Sequence, residues 1–231
     1  MTSNPIEIPD DYGYNVNQFI LPDHIDKRSI SSILIPGGMI RDRTKALARE
    51  ITREYGQKDV YLLCVLKGAH QFFSDLMHFM QDQMSATDNA FGYDFIPASS
   101  YEDTQSTGNL SIGTLKDPSV LENKYLILVE DIIDSGHTMV GKNYVKGQVP
   151  IDGLIGHFMQ YNPLEISVAS MIVKRNSESN NFQPRFVGFS IPDKFVVGYG
   201  LDYNEHLREI GHLCVLSEAG IKKYAQKNTS V

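Results

Sequence analysis

The stretch Leu126-Ile127-Leu128-Val129-Glu130-Asp131-Ile132-Ile133-Asp134-Ser135-Gly136-His137-Thr138-Met139 decides the fold class of this chain. Four apolar residues in a row, entered from Lys124-Tyr125, suit a central parallel strand buried on both faces. Glu130 and Asp131 then stand at the strand's carboxyl end, where open α/β sheets bind their ligands. Ser135, Gly136 and Thr138 follow with hydroxyls and unhindered N–H groups just before a helical start, a nest for a phosphate. The loop is not a Walker A motif, for it has neither G-x-x-x-x-G-K-[ST] nor any lysine. An ordinary strand-turn-helix with its acids as solvated caps would explain Asp134 and Ser135. It does not explain Glu130-Asp131 directly after a buried run.

At 231 residues the chain is long enough for one sizeable α/β domain and short for two, so residues 1–231 are read as a single domain. Forty-two per cent hydrophobic residues can fill its core. The net charge of −7 and the absence of a basic stripe with interleaved aromatics argue against nucleic acid as a partner. Negatively charged ligands must therefore be met by local devices. Cys64 and Cys214 both lie in apolar runs and read as buried free thiols, which fits a reducing compartment. The polar, acidic N-terminus lacks the features of a signal peptide and no run reaches membrane-spanning length, so a cytoplasmic protein without a membrane partner is expected.

Residues 1–22 read as an N-terminal arm laid over the body. Residues 41–55 carry Leu47, Ile51 and Tyr55 at helical spacing. Residues 60–66 are a buried strand, after which Gly68 opens a second helix with a core stripe of Phe72, Phe73, Leu76, Met77 and Met80. Further strands are expected at 91–96, 166–173, 186–189, 195–199 and 213–216, and residues 99–108 form a polar loop or lid. Strands alternating with helices imply a mostly parallel central sheet with helices on both faces. Between Met139 and Asp152, the segment 140–151 reads as an insertion, because Gly141, Gly147 and Pro150 oppose a continuous helix.

The order of hydrophobic strand, two acids, two apolar residues and Asp-Ser-Gly-x-Thr resembles the 5-phosphoribosyl-1-pyrophosphate (PRPP) motif of type I phosphoribosyltransferases. Four other stretches are similar to the hypoxanthine-guanine branch of that family: 62–68 with Lys67-Gly68, Ser100-Tyr101 with Gln105-Ser106-Thr107-Gly108, 168–175 with Lys174, and 186–205 with Arg208. The resemblance implies that family's fold, with a small hood built from the terminal segments. It implies a transferase making IMP or GMP and pyrophosphate from PRPP and hypoxanthine or guanine, with Mg²⁺ as cofactor and a homodimer or homotetramer as the assembly. By the same resemblance Asp134 is the general acid/base at purine N7, and Glu130 and Asp131 hold the ribose hydroxyls. Ile132, Ile133, Ser135, Gly136, His137 and Thr138 complete the PRPP loop. Lys67, Gly68 and Arg208 would grip pyrophosphate, with a cis peptide beside Lys67. Lys174, Lys194, Phe195, Val196 and Asp202 would surround the purine, Ser100 and Tyr101 would belong to a lid, and Asp202, Glu130 and Asp131 would face the metal.

Departures from the family pattern cluster near the expected substrates. Pro97 and Ser99 stand where relatives carry basic residues, and Asn176-Ser177-Glu178 replaces a Thr-Pro-Arg-like run. They motivate an alternative, a catalytically weak or inactive nucleotide-binding paralogue acting as a regulator, although Asp134, Lys174 and Asp202 are intact. A receiver domain, the third class, would place its acidic pair after the first strand. Here the pair comes past mid-chain.

Overall fold

A computed structural model describes residues 4–100 and 110–225 of the chain, with residues 99 and 100 described by backbone alone. In chain order its elements are β1 Ile6–Glu7, β2 Ile30–Ile35, α1 Gly37–Tyr55, β3 Val60–Leu66, α2 His70–Gln83, β4 Gly92–Ser100, β5 Leu110–Ile112 and β6 Tyr125–Ile133, then α3 His137–Val140, α4 Gly153–Met159, β7 Glu165–Arg175, β8 Phe186–Pro192, β9 Val196–Val197, β10 Leu213–Leu216 and α5 Glu218–Tyr224. Among the described residues one sheet runs β1-β8-β7-β6-β3-β4-β5, parallel except at the edge pair of β4 and β5. A smaller antiparallel sheet, β2-β10-β9, forms the hood.

Period-two alternation along the central strands builds two cores at once. Leu126 and Leu128 of β6 pack with Leu63 and Val65 of β3 and with Leu154 and Phe158 of α4. Ile127 and Val129 turn the opposite way, towards Leu62 and Cys64 and the α1 and α2 residues Leu47, Ile51, Phe72 and Leu76. Helices therefore cover both faces, as expected of strands with no polar side. A third cluster joins Val16 and Leu21 of the arm, with Ile25, to Ile33, Val197 and Cys214 of the hood and to Ile210. The arm also adds β1 to the edge of the large sheet. No helix among the described residues is long and apolar enough to cross a membrane.

Several boundaries differ from the sequence expectations. The first helix begins at Gly37, not residue 41, because the Gly37 N–H is capped by Nδ1 of His212 at 2.9 Å, a partner far away in sequence. The second begins at His70 rather than Gly68. The strand expected at 91–96 runs on through Pro97 to Ser100. Pro97 falls where β4 exchanges its partner β3 for β5, so its missing N–H leaves no gap inside a ladder. The strand expected at 195–199 shrinks to Val196–Val197, since the backbone turns left-handed at Gly198, Tyr199 and Gly200 (φ 93°, 52° and 98°). The inserted segment starts later than residue 140, because Val140 is buried as the last residue of α3. Gly141 then ends the helix, and Val145, Val149 and Ile151 are exposed.

Cys64 and Cys214 are unpaired and fully buried, and burial pushes both thiols up to about 12. Since only the thiolate reacts, a thiol reagent near neutral pH should label neither in the folded chain and both after denaturation. Rapid labelling of the native protein would show that these core strands open far more readily than their packing allows.

Candidate active site

Parallel strands end together, so β3, β6 and β7 deliver Lys67-Gly68, residues 130–138 and Lys174 to one rim of the sheet. At that rim Ile132, Ile133, Asp134, Ser135, Gly136 and Thr138 line a cleft of about 540 Å³, together with Glu130, Met139, Asn176, Glu178 and Asp193. Gly136 turns the chain into α3 with φ 83°. A Cβ there would strike the Asn180 side chain as well as strain the backbone. The His137 N–H points at Ser135 Oγ, 3.4 Å away. Because α3 has only four residues, the loop's N–H groups offer an anion more than the helix dipole does.

Asn180 holds this loop, though nothing in the local pattern marked it. Its N–H donates to the Ser135 carbonyl at 2.9 Å, its Nδ2 donates to the Gly141 carbonyl at 3.3 Å, and its Oδ1 accepts from the Phe182 N–H at 3.0 Å. One residue, through its backbone N–H and its side chain, thus ties the start of the loop to the end of α3. The cleft also carries the carboxylates of Glu178 and Asp193, which no phosphate would welcome.

The acid pair is held below the loop. Glu130 is buried, and its Oε1 accepts from the Asp131 N–H at 3.1 Å. Burial, and then the charge of Asp131, push Glu130 well above the usual carboxylate range; burial raises Asp131 too. Asp131 Oδ2 occupies the space where a side chain at position 68 would begin, so only glycine lets the loop after β3 approach β6 this closely. The peptide between Leu66 and Lys67 is cis, at the position the family resemblance implied.

A cationic cluster lies beside them. Lys67 Nζ meets Glu205 Oε2 at 3.0 Å, and Arg208 Nη2 meets Asp202 Oδ1 at 2.9 Å and Glu205 Oε1 at 3.2 Å. The other Asp202 oxygen accepts from the Glu205 N–H at 2.7 Å. Hydrogen bonding from Lys67, followed by the charge of Arg208, holds Glu205 below its ordinary range. Across the cleft, Lys174 Nζ donates to Asp134 Oδ2 at 2.9 Å and lies 3.6 Å from Asp193 Oδ1. Asn176 Nδ2 donates to the remaining Asp134 oxygen.

The last expected residues are more dispersed. Phe195 is 47% exposed and meets Tyr203 edge-on at 5.2 Å, leaving a ring face available. Val196 is buried in β9 and paired with Val215. Lys194 Nζ donates to the Asp10 carbonyl at 2.6 Å, and Arg175 donates to the Ile8 carbonyl at 2.7 Å and to the Asp10 carboxylate at 2.6 Å. These two cations fasten the arm against the rim. Ser100 is described by backbone alone as the end of β4, while Tyr101 and the rest of the expected lid lie outside the described residues.

Comparison with known proteins places this geometry. Residues 36–147 match the phosphoribosyl transferase domain family model. Hypoxanthine-guanine phosphoribosyltransferases of Rattus norvegicus and Homo sapiens are each 42% identical over 93% of this chain and 94% of their own length. The crystal structure of the Schistosoma mansoni hypoxanthine-guanine phosphoribosyltransferase in complex with IMP superposes with a TM-score of 0.74 at 30% identity, covering 96% of this chain and all of that one. With identity and coverage at that level, and with the acids, the loop after β6 and the lysine gathered at one rim, the chain belongs to the hypoxanthine-guanine phosphoribosyltransferase family.

Proposed function

We propose that this protein is a purine-salvage transferase that converts hypoxanthine or guanine and PRPP to IMP or GMP and pyrophosphate. The observation that carries the reading is the 2.9 Å contact of Lys174 with Asp134, which lines the cleft of about 540 Å³, a donor-only cation beside a proton acceptor. In the reaction, purine N9 forms a bond to ribose C1 as the C1–O bond to pyrophosphate breaks, the leaving group keeping the electron pair. The purine's N7 proton passes to Asp134. Lys174, with three donors and no acceptor, satisfies a 6-oxo group and leaves a 6-amino group unpaired. The loop Ser135-Gly136-His137-Thr138, with Ile132 and Ile133, takes the 5′-phosphate, and Glu130 and Asp131 hold the ribose hydroxyls.

Phe195 offers its free ring face to the base, next to Lys194 and the Val196 main chain. Lys67, Gly68 and Arg208 receive the pyrophosphate, for which Lys67 and Arg208 must give up part of their bonding to Glu205. Glu205 is largely exposed, so water takes over what it loses and the exchange costs little.

Mg²⁺ suits the donors present. No group of three or more His, Cys, Asp or Glu side chains converges among the described residues. That fits an ion that takes one or two carboxylates, Asp202 with Glu130 or Asp131, and completes its shell with substrate oxygens and water. When bound, it would neutralise charge on the pyrophosphate. Two buried free thiols support a cytoplasmic setting, and assembly as a homodimer or homotetramer belongs to the same reading.

Asp134→Asn should fold normally and lose about 10²–10⁴-fold in kcat, the usual reach of general acid–base catalysis. A variant within a few-fold of its parent would remove Asp134 from the chemistry. In a PRPP-consumption assay, hypoxanthine and guanine should react and adenine should not. Equal rates with adenine and hypoxanthine would show that Lys174 does not read the 6-position. Excess chelator should abolish turnover and added Mg²⁺ restore it; turnover that persists in chelator would exclude the metal's part.

A further inference from the structure

We propose that Asn176 is a positioning residue for Asp134, holding one carboxylate oxygen so that the other is presented to the purine. The inference rests on the reading above, in which Asp134 takes the N7 proton. Asn176 is the first residue beyond β7 and lies two positions after Lys174, so the strand's alternation sends both side chains to the same carboxylate. Lys174 takes Oδ2 and Asn176 takes Oδ1.

The two donors are not equivalent. Lys174 also lies 3.6 Å from Asp193, and it has to turn to the 6-oxo group when a purine enters. At that moment Asp134 loses the partner that fixes Oδ2. The terminal torsion of an aspartate is broad, so without a second partner the carboxylate plane would be free to swing. The Asn176 amide has no competing task and keeps Oδ1 while Oδ2 turns to N7–H. Orientation of this kind lowers a barrier without adding a contact to the substrate. Amide polarity supports the arrangement, because reversing it would set a carbonyl oxygen against the carboxylate. It also leaves Asn176 Oδ1 buried without a hydrogen-bond partner in a residue that lines the cleft.

The test compares Asn176→Thr with Asn176→Val, side chains of the same shape with and without a donor, each in the parent and in the Asp134→Asn background. Steady-state rates with PRPP and hypoxanthine should show kcat falling by roughly ten-fold in the Val variant. The Thr variant should stay closer to the parent, with both KM values changed by less than about two-fold. In the Asp134→Asn background Thr and Val should be equal, because the group through which residue 176 acts is already disabled. Equal kcat for Thr and Val beside an active parent, an effect on KM alone, or a Val loss that persists undiminished in the Asp134→Asn background would each overturn the inference while leaving the proposed activity standing. A parent chain that consumes no PRPP with any purine would overturn both.

Discussion

β6 has no side that it can turn to water. Leu126, Ile127, Leu128 and Val129 are all buried, alternate residues entering cores on opposite faces of the sheet. Each such side chain contributes ~1.5–3 kcal/mol when fully buried, so the strand is driven to the centre with helices above and below. Polar chemistry is thereby excluded from its length and confined to its carboxyl end, where Glu130 and Asp131 stand. Neighbouring parallel strands must stop at the same level, and their ends bring Lys67, Gly68 and Lys174 to the same rim. The site is a consequence of how the core is buried.

Electrostatics at that rim are balanced within the protein before any ligand arrives. The chain carries −7 overall, yet Lys67, Lys174 and Arg208 are each held in place by a carboxylate. The pairs differ in what they cost to break. Lys67 and Glu205 are both largely exposed, so water screens the pair and it is cheap to break. The Lys174 side chain is only 11% exposed, so its charge needs a partner, which Asp134 supplies. Glu178 and Asp193 stand in the same cleft and add negative charge to it.

Much of the architecture was legible because it depends on local periodicity. Buried strands at 60–66, 166–173 and 213–216, the helical stripe of Phe72, Phe73, Leu76 and Met80, and the buried thiols all follow from which residues avoid water. The edge strands β1 and β5 were not legible. Their few residues, two of them in β1, carry no usable period, and they exist because a neighbour offers unpaired backbone groups. The start of α1 was misplaced for the same reason, since its cap comes from His212.

Among the site residues, the sequence alone determined which chemical groups stand on the PRPP-like segment and in what order. A continuous apolar run followed by acids, hydroxyls and glycine has few physical solutions. Only the tertiary structure decided their partners. That Asp131 fills the space left by Gly68, that Asn180 ties the loop after β6 to the end of α3, and that Asn176 shares Asp134 with Lys174 are contacts between segments tens of residues apart. Such contacts arise when packing sets the strand ends side by side. A hydrogen bond's partner depends on distances in space, which no local spacing along the chain encodes.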